Sequence, residues 1–250
     1  MLINEQRNQR LQPLFLGICV KKIHLFLSMC LLAFGAVETK VTDVNGTRVG
    51  FESKAGIVAG QSAFVIREFD DRHTTVIAQC TVNRDDLSSM ECHPFDYLYH
   101  ESLSLVKSGI KAGDTVKVGL LDASIAIIAP EQKSYLAVKA EYPDAIVFHP
   151  DLFAVTLKYD DNPTPAKEDF VAFCRENFIG VLVFALNDAI YDVDCLSFKV
   201  INKHGAGVPD KENNKPFYHR VGEIERGFFD FSDKTVDDFT AYYKKLIGVN

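Results

Sequence analysis

Residues 180–201 read GVLVFALNDAIYDVDCLSFKVI. Two apolar runs flank a short polar break at Asn187-Asp188, which predicts two antiparallel strands joined by a tight turn. With the turn there, Leu186 faces Ala189, and counting outward puts Cys195 opposite Gly180. Just before Gly180 lies AKEDFVAFCRENF, residues 166–178, where Phe170, Phe173, Cys174 and Phe178 recur at helical spacing and Lys167, Glu168 and Arg175 face away. The hairpin and this helix bring Cys174 beside Cys195, so a disulfide between them is expected. Closing a loop of about 20 residues stabilises by about 3 kcal/mol.

Working back from that hairpin, SIAIIAP at 124–130 is the continuous apolar run of a strand buried on both faces. EQKSYLAVKAEYP reads as a helix stopped by Pro143, and AIVFHPDLFAVTLKY, residues 145–159, as a long strand region interrupted by Pro150. Forward from the hairpin, 202–216 is a polar Gly/Pro/Asn loop whose Gly205-Ala206-Gly207 is a turn. DKTVDDFTAYYKKLI at 233–247 is a last helix, acidic at its start and basic at its end. Residues 121–250 therefore predict an α/β domain with helices on one face of a mixed sheet and a C-terminal helix.

Residues 37–120 have a different texture. ETKVTDVNGTRVGFES centres on Asn45-Gly46, a strong hairpin signal, and IVAGQSAFVIREF is a further strand region. TTVIAQCTVN alternates, with Val76, Ala78, Cys80 and Val82 on one face. A turn centred on Asp86 then puts Cys80 opposite Cys92, a second expected disulfide. GIKAGDTVKVGLL closes the set. Short strands with frequent turn signals predict a small barrel or sandwich of SH3 or OB type, so the fold class is α+β.

The amino terminus sets the compartment. KKIHLFLSMCLLAFGAVETK, residues 21–40, places a basic pair before a short apolar run that ends in small residues. That run is shorter than the roughly 20 residues a bilayer span takes. It predicts a secretory signal, with an amino-terminal extension, over residues 1–36 and cleavage after Gly35. An uncleaved anchor is the alternative, and the bulky Met29 before Cys30 argues against lipidation. The signal removes Cys19 and Cys30 and leaves an even four, the count a disulfide framework needs in an oxidising compartment. It also takes 4 of the 27 basic and 1 of the 34 acidic residues, leaving a net charge of −10. So acidic a chain is not expected to bind nucleic acid or, signal segment apart, an anionic membrane.

Chemistry is sparse in the motifs. There is no nucleophile elbow, phosphate-binding glycine loop or paired-histidine zinc motif. Cys92-His93 with His100 has the residue types of a thiol dyad, but Cys92 already has a disulfide partner. Asp192 and Asp194 share a strand face, and Asp160, Asp161 and Asn162 cluster in a turn. Each set supplies too few oxygens for calcium, so both are expected to be solvated. No catalytic residue, metal or cofactor is expected. Phe95, Tyr97 and Tyr99 alternate along HPFDYLYHES and form either core or a protein-contact face.

IKAGDTVKVGLLDASIAIIAPEQK, the Cys174/Cys195 placement around GVL, and PFYHRV with AYYKKL near the end resemble the amino-terminal domain of the plasminogen-binding protein A family of Helicobacter and Campylobacter envelope proteins. The resemblance implies an exported protein of the periplasm or cell surface that works by protein contact, with plasminogen the partner the family name suggests. Plasminogen-binding members carry a Lys-rich tail. This chain has Lys244 and Lys245 before Leu246–Asn250, so plasminogen binding itself is not expected. A fainter likeness to domains of flagellar assembly protein T implies, as an alternative, a scaffold of the flagellar motor or envelope. A small-ligand or hydrolytic site in an inter-domain cleft is the reading from another class.

Overall fold

Gly46 takes φ of +63°, the left-handed geometry of a two-residue hairpin, and folds β1 (Val37–Asn45) onto β2 (Arg48–Phe51). In this computed structural model, which describes residues 36–95, 109–209, 215–225 and 236–249, that hairpin opens a closed six-stranded barrel. β3 (Ser62–Asp70), β4 (His73–Val82), β5 (Ser89–Pro94) and β6 (Thr115–Val118) complete it in the order β1-β2-β5-β4-β3-β6. Val49, Val65, Met90, Val116 and Val118 fill its interior. Cys80 and Cys92 are directly opposed on β4 and β5 and form a disulfide inside that core. Arg67 clamps Asp114 through two hydrogen bonds of 2.9 and 2.6 Å, pinning the Gly113-Asp114 turn to β3.

Residues 119–123 lead from the barrel into a second sheet, and both lie in one compact unit, Ala33–Asn250. Its elements are β7 (Ser124–Ile128), α1 (Gln132–Lys139), β8 (Ile146–Phe148), α2 (Asp151–Tyr159), α3 (Lys167–Asn177), β9 (Val181–Ala185), β10 (Ile190–Asp194), β11 (Val200–His204) and α4 (Phe239–Ile247). The strand order is β11-β10-β9-β7-β8, with β8, β7 and β9 parallel and β10 and β11 antiparallel. The α+β class with an amino-terminal barrel is the observed fold. The hairpin register is the expected one: the Leu186 amide bonds the Ala189 carbonyl and the Cys195 amide the Gly180 carbonyl. Cys174 and Cys195 are joined.

Four readings need correction. Residues 151–159 are a helix, not the continuation of a strand. Pro150 opens it, Asp151 occupies its first turn, and Phe153, Ala154 and Leu157 recur at helical spacing into the core. Helices cover both faces of the sheet, not one. Phe153, Phe170, Phe173, Phe239 and Tyr243 pack on one face, and Tyr135 and Val138 of α1 on the other. β7 and β9 are apolar on both sides, so each face needs a cover. Phe178 is not on the buried side of α3. It caps the helix at φ +54° and is 68% exposed, because the chain must reverse there to enter β9. A third antiparallel strand, β11, also emerges from what reads as the start of a loop.

The phenylalanine-rich composition serves the larger core. Phe153 meets Phe170 and Phe173 at 4.8 Å and stacks on Phe217 at 5.5 Å, while Phe184 lies 5.3 Å from Tyr243.

Candidate functional site

Asp194, at the end of β10, is 1% exposed and reaches from the sheet into the barrel. Its carboxylate accepts hydrogen bonds from the Ser62 amide and hydroxyl, both at 2.6 Å, and from the Leu196 and Ser197 amides at 3.2 and 2.8 Å. The Ser197 hydroxyl donates back to the Gly60 carbonyl at 2.6 Å. Asp122, in the segment between the two sheets, accepts from the Gln61 amide at 2.6 Å. Asp122 and Asp194 face one cavity of about 10 Å³, shared with Ser62, Phe64 and Gly180, barely the space of a water. Burial pushes Asp122 up to about 6; the Gln61 amide opposes this, and Asp194 and Asp192 reinforce it. Burial also raises Asp194, against the pull of its donors.

Asp192 is equally buried, on the same face. The Tyr142 hydroxyl donates to Asp192 Oδ1 at 2.5 Å and lies 2.8 Å from His204 Nε2, and Asn202 donates to Asp192 Oδ2 at 2.9 Å. His204 Nδ1 stands 3.5 Å from Glu141. Asp192 and Asp194 are therefore not the solvated pair that strand alternation suggests. The barrel covers one and the segment after α1 covers the other, contacts that spacing along a single strand does not reveal. Burial and Asp192 push the Tyr142 phenol far up, and the hydrogen bond to Asp192 raises His204. A histidine with a raised folded pKa contributes its full stabilisation below the unfolded value and loses it as pH rises through the folded one. Stability of the protein is thus expected to decline from about pH 6.5 upward. His204→Gln should flatten that part of a thermal-melt series against pH, and an unchanged slope would assign it elsewhere.

The carboxyl ends of the parallel strands are where open α/β sheets place ligands. Here Tyr135, His149 and Tyr218 form an aromatic group, with ring centroids 5.4 to 6.2 Å apart. Arg220 is tied to Asp151 at 2.7 Å, and burial lowers the His149 pKa. Beside them a cleft of about 20 Å³ lies between Ile128–Pro130, Ala185 and Tyr243, room for a water but not for a substrate. Among the described residues, no group of His, Cys, Asp and Glu is arranged to hold a metal.

The outer surface of α2 is the unexpected feature. Leu152, Val155 and Tyr159 are 48%, 55% and 88% exposed and follow one another at i, i+3 and i+7. The helix is apolar on its inner and outer sides alike, which is why residues 145–159 resemble a strand. The Pro150-Asp151 start and the three-four spacing of Phe153, Ala154 and Leu157 are the signals that distinguish it.

The other candidate residues are dispersed. Phe95 is half-buried and meets Phe64 edge-on at 6.1 Å. Tyr97, Tyr99 and His100 lie outside the described residues, as do residues 1–35, where the secretory signal is expected. Lys244 bonds Asp188 at 3.0 Å, fastening α4 to the β9–β10 turn, while Lys245 is exposed. Among the described residues, no helix is long and apolar enough to cross a membrane.

The family model described as plasminogen-binding protein pgbA N-terminal matches residues 36–247. No curated protein and no solved structure matches the chain.

Proposed function

This chain belongs to the plasminogen-binding protein pgbA N-terminal family, and on that premise we propose that it is an exported, non-catalytic module of the cell envelope that works by protein contact. The observation that carries the reading is the outward ridge Leu152, Val155 and Tyr159 on α2. Apolar side chains in a row on a helix already anchored by its opposite face are the material of interface anchors. The small cleft at the strand ends and the absence of a catalytic motif also support contact rather than turnover. Disulfides in both cores support an oxidising, extracytoplasmic address.

The family name makes plasminogen the first partner to test. Retention of plasminogen by the immobilised protein is the test, and where it is retained Leu152→Asp with Tyr159→Ser is expected to weaken it at least about tenfold, as loss of central anchors does. Binding abolished by a lysine analogue but unchanged in the double variant would move the contact to exposed lysines such as Lys245. No binding at all would remove plasminogen as the partner. Cell fractionation of a tagged strain tests the address, and recovery in the cytosol would overturn it.

A further inference from the structure

The chain passes from barrel to second sheet through residues 119–123, and Asp122 turns its carboxylate from this connection into the junction it spans. We propose that Asp122 is a proton-operated latch: the barrel and the sheet are held closed when its carboxyl is protonated and loosened when it is ionised.

The argument rests on how unequally two neighbouring carboxylates are served. Asp194 has four donors, drawn from both sides of the junction, and tolerates a negative charge there. Among the described residues, Asp122 has the single Gln61 amide, and it shares a cavity of about 10 Å³ with Asp194. A second charge there has one donor, and the cavity has no room for the waters that would supply the rest. The charged neighbours do not relieve it. β10 contributes the carboxyl groups of Asp194 and Asp192, and each opposes a charge on Asp122. The barrel side contributes neutral Gln61 and Ser62, and Lys117 of β6 pairs with Glu38 instead. Lys199 packs its stem beside Gly60, and at Gly180 the junction presents backbone, with the Leu121 carbonyl against that glycine.

The connection is also tightly fitted. Gly119 takes φ of +67°, and a Cβ there would strike the Gln61 amide and the Asp122 carboxylate. A shift of Asp122 is therefore felt directly at the barrel loop. Asp122 is half-buried, so its proton has a path to solvent. Ionisation favours the arrangement in which the carboxylate reaches water, at the expense of the packing around Gln61 and Ser62.

Hydrogen exchange of the full, disulfide-bonded chain, corrected for intrinsic rates, tests the latch at the Ser62 and Ser197 amides, which bond Asp194. Burial that pushes the Asp122 carboxyl from its ordinary 3.8 up to about 6 predicts about a tenfold loss of protection between about pH 5 and about pH 7.5. In Asp122→Asn, which keeps the shape and the acceptor without the charge, protection should be high and the same at both. Gln61→Met removes the one donor to the ionised form and should move the midpoint to higher pH. His204→Gln should leave the response intact. Equal protection at both pH values in the unaltered chain, or an undiminished pH response in Asp122→Asn, overturns the proposal.

Discussion

Asp194→Ala is expected to destabilise the protein by about 3 kcal/mol or more, the cost of orphaning buried donors that no longer find an acceptor. The substitution leaves the Ser62 amide and hydroxyl and the Leu196 and Ser197 amides facing an apolar methyl group. The neighbouring cavity of about 10 Å³ is too small to supply replacement waters without rearrangement. In a chain of this size that corresponds to a fall in melting temperature of roughly 6–12 °C. Asp194→Asn should fall between the two. Its carbonyl replaces Oδ1 for three of the donors, while its amide nitrogen opposes the Ser62 amide, itself a donor. Limited proteolysis offers an independent reading, because the loss is at the junction and cleavage should appear first around residues 119–123. A melting temperature within about a degree of the unaltered protein would mean the junction relaxes freely, contrary to the network described.

Replacing both Cys174 and Cys195 by alanine is expected to cost about 3 kcal/mol, from the larger conformational freedom of an unfolded chain without that link. The bridge joins positions separated by 21 residues and ties the end of α3 to the end of β10. Both cysteines are fully buried beside Gly180, where an added Cβ would collide with the Leu121 carbonyl. Cys80 and Cys92, separated by 12 residues and already aligned on paired strands, should give a slightly smaller loss when replaced. Denaturant midpoints of the two double variants, with and without reductant, separate the contributions. Reductant should move the unaltered protein toward the variants and leave a protein lacking both bridges unmoved. A midpoint of the Cys174/Cys195 variant equal to that of the oxidised protein would show that packing alone holds α3 on the sheet.

The two pH responses act in the same direction. Asp122 and His204 both have raised folded values, so each binds its proton more tightly in the folded protein, and each stabilises on acidification. The opposite behaviour comes from Asp114, paired with Arg67. Its pKa is lowered in spite of burial, by the Arg67 hydrogen bonds, and its contribution is lost only as pH falls through the carboxylate range. Stability should therefore be greatest at mildly acidic pH.

Local patterns in the chain were sufficient for most of the strands, the hairpin turns and both disulfides. Asn45-Gly46 and Asn187-Asp188 set the hairpins, and strand pairing has a period of two, so counting outward from a known turn identifies partners such as Cys80–Cys92 and Gly180–Cys195. The same counting failed at α2. A helix apolar on both its inner and outer sides has no polar face to betray its period, and its three-residue neighbour β8 is too short to mark a boundary. It failed again at Asp192 and Asp194. Their burial depends on Tyr142, 50 residues away, and on Ser62, 132 residues away. Composition and nearest-neighbour periodicity thus determined the class, the all-β first half and the covalent links of this protein, because those are short-range or periodic properties of the backbone. Which carboxylates are buried, which helix face is left in water and where the barrel meets the sheet were decided by tertiary packing. Each depends on a surface brought from a distant part of the chain, and no single segment specifies what will cover it.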